Sequence, residues 1–141
     1  MNEVYNSILL QLVRGQIDLV SAPLKVLLVN NSFVFNPQHT TVSQIVTSEF
    51  SGTNYQRKTV TGKSASIDNF TNTATLYADN PSWSLVIGDV VKAAVVYKQV
   101  NNDSDSQLIS VTYINPAFTT NGGIFTIKGW HDTGVLKLFV S

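Results

Sequence analysis

The stretch "VVKAAVVYKQVNNDSDSQLISVTYI", Val90 to Ile114, decides how the rest of the chain is read. Its first part, Val90–Val100, is rich in β-branched residues and mostly apolar, so it reads as a central strand covered on both faces. The polar run Asn101–Gln107 reads as an exposed turn. A second β-branched run, Leu108–Ile114, follows at once. Strand, short polar turn and strand together predict an antiparallel hairpin.

Outward from that hairpin the same grammar recurs. "LKVLLVN", Leu24–Asn30, is a continuous apolar run opened by Pro23, and it predicts a second strand buried on both faces. "YQRKTVTG" (55–62) alternates, with Tyr55 and Arg57 on one face and Lys58 on the other. "TATLYADN" (73–80) and "PSWSLVIGD" (81–89) follow, the latter with Trp83, Leu85 and Ile87 expected on one face. "IFTIKGW" (124–130) and "GVLKLFVS" (134–141) close the chain, joined by the tight turn "HDTG" (131–134). About eight strands with short turns are expected.

Two helices are predicted. Val4, Ile8, Leu9 and Leu12 recur at helical spacing, with Gly15 where a C-terminal cap belongs, so a helix is expected from about Asn2 to Arg14. Val42, Ile45 and Val46 predict a short helix with Thr40 or Thr41 as its N-cap. Phe33 and Phe35 alternate before a break at Pro37. The expected fold is mainly β: a single domain over 1–141, β-sandwich or jelly-roll-like, with an N-terminal helix and one short helix.

Composition bounds the chemistry. The 141 residues suit one domain, and only 13% are charged, about half the usual ~25%. Lys+Arg and Asp+Glu both number nine, so no basic excess is present to bind a phosphate backbone. The chain has no cysteine, which excludes disulfides, thiolate metal sites and cysteine nucleophiles. The apolar run Ile8–Val13 is too short to cross a bilayer, and neither a signal peptide nor a membrane anchor is expected. The sequons at Asn30, Asn69 and Asn102 read as chance matches in an Asn-rich chain.

Several motifs invite a sharper reading. "TGKS", Thr61–Ser64, matches the end of a phosphate-binding loop, but the position five before Gly62 is Arg57 where that loop requires glycine. A polar turn is the expectation. His39 and His131 are the only histidines and lack metal-ligand spacing. "NNDSDS" (101–106) offers oxygen ligands without the glycine and distant glutamate of a calcium loop. No serine sits in a nucleophile elbow. Glu49 and Asp68 are acids that nothing in the sequence brings together. No catalytic residue, cofactor or metal is therefore expected. Tyr55, Arg57 and Lys58 are candidate protein-contact residues, because Tyr and Arg are enriched at interface anchors. Trp83 and Trp130 are an alternative candidate platform for a glycan; burial in the core is their bland reading.

The order of certain segments adds a resemblance. "GQIDLVSAPLKVLLVN" (15–30) is followed by "VSQI" (42–45), "KTVTGKSASIDN" (58–69) and "ADNPSWSLVIGDVVKAAVVYK" (78–98). "SQLISVTYI" (106–114), "NGGIFTIKGW" (121–130) and "GVLKLF" (134–139) complete the series. In this order and spacing the chain resembles small structural proteins of tailed bacteriophages. The resemblance implies a non-enzymatic virion component: a capsid decoration (cement) protein, a homotrimer, bound to the major capsid protein. It would be made in the host cytoplasm and carried on the capsid surface, with no nucleic-acid or membrane partner. A tail or fibre component and a glycan-binding adsorption module are the alternatives.

Overall fold

The computed structural model describes residues 2–84 and 86–139, and the Phe139 side chain is outside that description. The strands are β1 (Asn2–Val4), β2 (Leu24–Val29), β3 (Gly52–Thr53), β4 (Lys58–Thr59), β5 (Ser64–Asp68) and β6 (Thr73–Tyr77). They continue with β7 (Ser82–Trp83), β8 (Ile87–Gly88), β9 (Val90–Lys98), β10 (Gln107–Thr119), β11 (Phe125–Thr126) and β12 (Leu136–Phe139). One helix, α1 (Asn6–Val13), follows β1. The chain is mainly β.

The frame is a five-stranded antiparallel sheet in the order β1-β10-β9-β2-β4. The expected hairpin is present as β9 and β10, and β2 lies on the other side of β9. Both faces of this sheet are covered, as the unbroken apolar runs require. On one face Leu24, Val26, Leu28, Ala94 and Val96 belong to the larger core. Leu76, Trp83, Trp130 and Leu136 close that core from a second layer. On the other face Leu27, Val29, Val95 and Tyr97 meet Phe33, Val42 and Ile45 of the 30–50 segment. Each fully buried Leu, Ile or Val contributes about 1.5–3 kcal/mol from removal of apolar surface from water. A bulge at Ile109 sends that side chain to the first face and leaves Leu108 and Val111 on the second.

The second layer is a three-stranded sheet, β12-β6-β5, with two short pairs beside it, β11-β7 and β3-β8. Its β5 strand is the polar run Ser64–Asp68, which carries none of the usual strand signals in sequence and forms by pairing with β6.

Several expectations are corrected. The N-terminal helix is shorter than expected: residues 2–4 form β1, because they pair with Ser110–Thr112 and the Tyr5 amide donates to Ile109 O (3.0 Å). The helix does end where Gly15 predicts, with that residue left-handed (φ 67°). The short helix is two 3-10 turns, Val42–Gln44 and Val46–Ser48, and Gln44 Oε1 accepts the amides of Thr40 (2.7 Å) and Thr41 (3.0 Å). The 55–62 strand shrinks to Lys58–Thr59. The 81–89 strand divides into β7 and β8; Trp83 is buried beside Phe125 while Ile87 is exposed, so they do not share a face, and Leu85 lies outside the described residues. The last strand spans Leu136–Phe139, and Val140 and Ser141 lie outside the described residues.

Candidate functional site

The densest polar cluster joins three parts of the chain. Glu49 ends the 3-10 segment, Tyr55 and Arg57 precede β4, and Asp103 sits in the β9–β10 turn, with Tyr97 on β9 beneath them. Arg57 Nε and Nη2 donate to Glu49 Oε2 (2.9 Å) and Oε1 (2.8 Å). Arg57 Nη1 and Nη2 donate to Asp103 Oδ1 (2.7 Å) and Oδ2 (3.0 Å). Nη1 also reaches the Tyr97 hydroxyl at 3.4 Å, and the guanidinium carbon lies 5.5 Å from the Tyr97 ring centroid. A guanidinium has five N–H donors, and all five have an acceptor here. Two bidentate carboxylate pairs on one arginine give strong, directional bonds.

Tyr55 extends the network inward. Its hydroxyl donates to Glu49 Oε2 (2.6 Å) and accepts the Leu28 amide (3.2 Å), so it reaches the backbone of β2. Burial and the Glu49 hydrogen bond raise the Tyr55 hydroxyl far above the usual phenol range. Burial also raises Tyr97, against the opposing pull of Arg57. The Arg57 hydrogen bond holds the Asp103 carboxyl below the usual carboxylate range. Hydrogen bonds from Arg57 to Glu49 and then Asp103 raise the guanidinium further, so it is charged at every accessible pH.

This arrangement is a lock. The turn it holds is exposed at Asn101, Asn102, Ser104 and Asp105, as its composition predicts, and it is anchored at Asp103 and Ser106. Ser43 N donates to Asp103 O (3.0 Å) and Val42 N to Ser106 O (3.0 Å), so the 3-10 turns also grip it. Inside the turn, Asn102 O accepts the amides of Asp105 (3.1 Å) and Ser106 (3.0 Å). The candidate contact residues are thus differently placed. Tyr55 and Arg57 are engaged with the chain's own carboxylates. Lys58 is half-buried on β4, paired with Val26 at the sheet edge.

Trp83 and Trp130 are each 1% exposed. Their indole N–H groups donate to Gln56 O (2.7 Å) and to Thr112 Oγ1 (3.1 Å). Neither ring offers a face to a sugar, so the glycan platform expected as an alternative does not form; the rings belong to the core. At "TGKS" the turn is as expected. Gly62 is left-handed (φ 64°), and Thr61 Oγ1 donates to Asp79 Oδ2 (3.0 Å). The Asp79 carboxylate lies against the glycine where a phosphate would need room. Lys63 turns away and donates to the Ala22 carbonyl. Glu49 belongs to the lock, whereas Asp68 caps its own turn through the Phe70 amide (2.9 Å), so these acids do not act as a pair. Among the described residues, no group of three or more His, Asp or Glu side chains is placed to hold a metal ion. Among them, no helix is long and apolar enough to cross a membrane.

The remaining surface is apolar in places. A cleft of about 310 Å³ lies between α1, the 17–20 loop and the three-stranded sheet, walled by Leu12, Ile17, Val20, Ala74 and Leu138. Leu10, Val13, Ile67 and Phe70 stand exposed. Glu49, Tyr97 and Asp103 are lock residues that sequence spacing does not reveal, since Arg57 and Asp103 are 46 positions apart. No family model, curated protein or solved structure matches the chain.

Proposed function

We propose that this chain is a structural component of a tailed-bacteriophage particle: a capsid decoration (cement) protein that binds the head shell as a homotrimer and stabilises it. The observation that carries the reading is the ordered series of sequence segments between residues 15 and 139. Several of those segments hold parts that build the core: 15–30 contains β2, 78–98 runs through β7 to β9, and 106–114 opens β10. The lock supports the same reading, because a cement protein must keep its shape under load. The surface supports it too. Exposed apolar side chains on a charge-poor chain suit broad protein contacts.

The mechanism is binding without catalysis. The partner is the major capsid protein, and neither nucleic acid nor membrane takes part. The protein binds the assembled lattice more tightly than free subunits, so the assembled state gains the binding free energy. It is made in the host cytoplasm and ends on the capsid surface.

The test is copy number and position in imaged, purified particles. Lattice-wide copies, together with earlier thermal or osmotic rupture of particles lacking the protein, are expected. A few copies at one vertex or at the tail tip would assign the chain to the tail or fibre apparatus instead. Complete absence from mature particles would sink the reading.

A further inference from the structure

The strand edges of the two main sheets are treated differently. In the five-stranded sheet the edges are β1, three residues with Glu3 at its centre, and β4, two residues with Lys58. Short length and charge are the usual protections of an edge. In the three-stranded sheet the β12 edge lies beside β1, where Asn2 Nδ2 donates to Val135 O (3.2 Å). The β5 edge has no such cover. All five residues, Ser64–Asp68, are exposed, and the strand contains no proline, glycine or lysine. It presents a row of backbone N–H and C=O groups on its outer side.

We infer that β5 pairs antiparallel with β5 of a second copy of this chain, about a two-fold axis at Ser66, joining two three-stranded sheets into one of six strands. The sequence of β5 fits itself in that register. Ala65 faces Ile67 of the other copy, and Ile67 faces its Ala65. This is the small-against-large pattern already present inside the molecule, where Ala65 pairs with Leu76 and Ile67 with Ala74. On the other side of the strand Ser66 faces Ser66, and Asp68 faces Ser64. Each carboxylate therefore meets a hydroxyl donor, and the two Asp68 residues sit at opposite ends, roughly 13 Å apart along the strands. Parallel pairing in register would set Asp68 against Asp68, which is unfavourable. A slip of one residue would move Ile67 to the wrong face.

Neighbouring charges do not call for a different partner. The Lys63 ammonium is held by the Ala22 carbonyl, and Asp68 Oδ1 is engaged by the amides of Phe70 and Thr71. Ile67, 71% exposed, is the apolar surface that the second copy covers. A five-residue strand pair is a small contact, so it is weak in dilute solution and strengthened wherever copies are held close together. The inference stands without the proposed function. The two-fold contact makes a dimer on its own and links trimers where a threefold contact also exists.

Cysteine cross-linking tests it on the full chain, which has no cysteine of its own. Directly opposed residues of an antiparallel pair have Cα atoms about 4.5–5.5 Å apart, within disulfide reach. Ser66→Cys is expected to form an intermolecular disulfide under mild oxidation. Ser64→Cys alone is expected not to do so, while a mixture of Ser64→Cys and Asp68→Cys is expected to cross-link. Ile67→Asp, a change at an exposed site, is expected to halve the mass of the associated species in sedimentation while leaving the melting temperature unchanged. Equal cross-linking of Ser66→Cys and Ser64→Cys overturns the pairing. So does an associated mass that Ile67→Asp leaves unaltered, or a chain that stays monomeric at every concentration. Loss of shell binding on Ile67→Asp with self-association intact would make a capsid segment the occupant of this edge, and would likewise overturn the pairing of copies.

Discussion

In β2 and β9 both faces of the strand are buried, whereas in β5 every residue is exposed. The two regions sit in one molecule and differ in what covers them. The five-stranded sheet has a core on each side, and its longest hairpin is tied down by Arg57. Among the described side chains of the three-stranded sheet, only Thr75, Leu76 and Leu136 are buried, and the sheet opens to solvent at Ala74 and Ile67. The difference separates two tasks. Covered strands and a saturated ion cluster hold one conformation. A bare edge beside an apolar cleft leaves backbone and side chains able to make contacts outside the chain.

Core truncation should show the contrast most strongly. Leu28→Ala removes a side chain with no exposed surface, and is expected to cost about 2–5 kcal/mol, read as a lower denaturant midpoint at unchanged slope. A cost near zero would mean that the five-stranded sheet is not the stable frame. Breaking the lock comes next. Arg57→Met leaves Glu49 and Asp103 without their cation, and its expected cost is about 2–3 kcal/mol. That lies below the 3–5 kcal/mol of a fully buried pair, because Arg57 and Asp103 are partly open to solvent. Amides of the 101–106 turn should then exchange faster than those of β9, which hydrogen exchange would resolve.

Acid should weaken the same lock. Asp103 has a lowered folded-state pKa, so its contribution is fully present above the ordinary carboxylate value near 4 and is lost as pH falls through the folded value. Stability should therefore decline with acid below about pH 4, and Asp103→Asn should flatten that decline. Tyr55 and Tyr97 act in the opposite sense. Their raised pKa values keep their contribution intact below about pH 10, and it is lost only above that. The smallest effect is expected in the open region. Ile67→Ala should change stability by less than about 0.5 kcal/mol, since the residue is 71% exposed in the single chain. A larger loss at low concentration would show that β5 is more tightly packed than its edge position implies.

Much of the frame was legible in the residues. Val90–Lys98 and Leu24–Val29 are largely apolar runs without alternation, and burial on both faces is the environment that suits them. Gly15 marks the end of α1 because a left-handed cap favours glycine. The lock was only half visible. Arg57 and Tyr55 stand out as interface-type residues, but their partners lie elsewhere in sequence, and nothing local says that an arginine will turn inward. The same holds for Trp83 and Trp130: an indole reads alike on a sugar platform and in a core, and only packing separates the two. The β5 strand was missed because Ser-Ala-Ser-Ile-Asp lacks the β-branched and aromatic density that marks a strand. It is a strand because β6 offers it a ladder.

By itself, then, the chain determined its class, its central strands and the lack of any thiol chemistry. Those properties depend on residue type and on period along the backbone, and both are local. Tertiary structure alone decided which carboxylates would meet Arg57, that both tryptophans would be interior, and that a weakly marked polar segment would form the uncovered border of a sheet. Contacts between distant positions depend on how the layers stack, and no window of sequence contains that information.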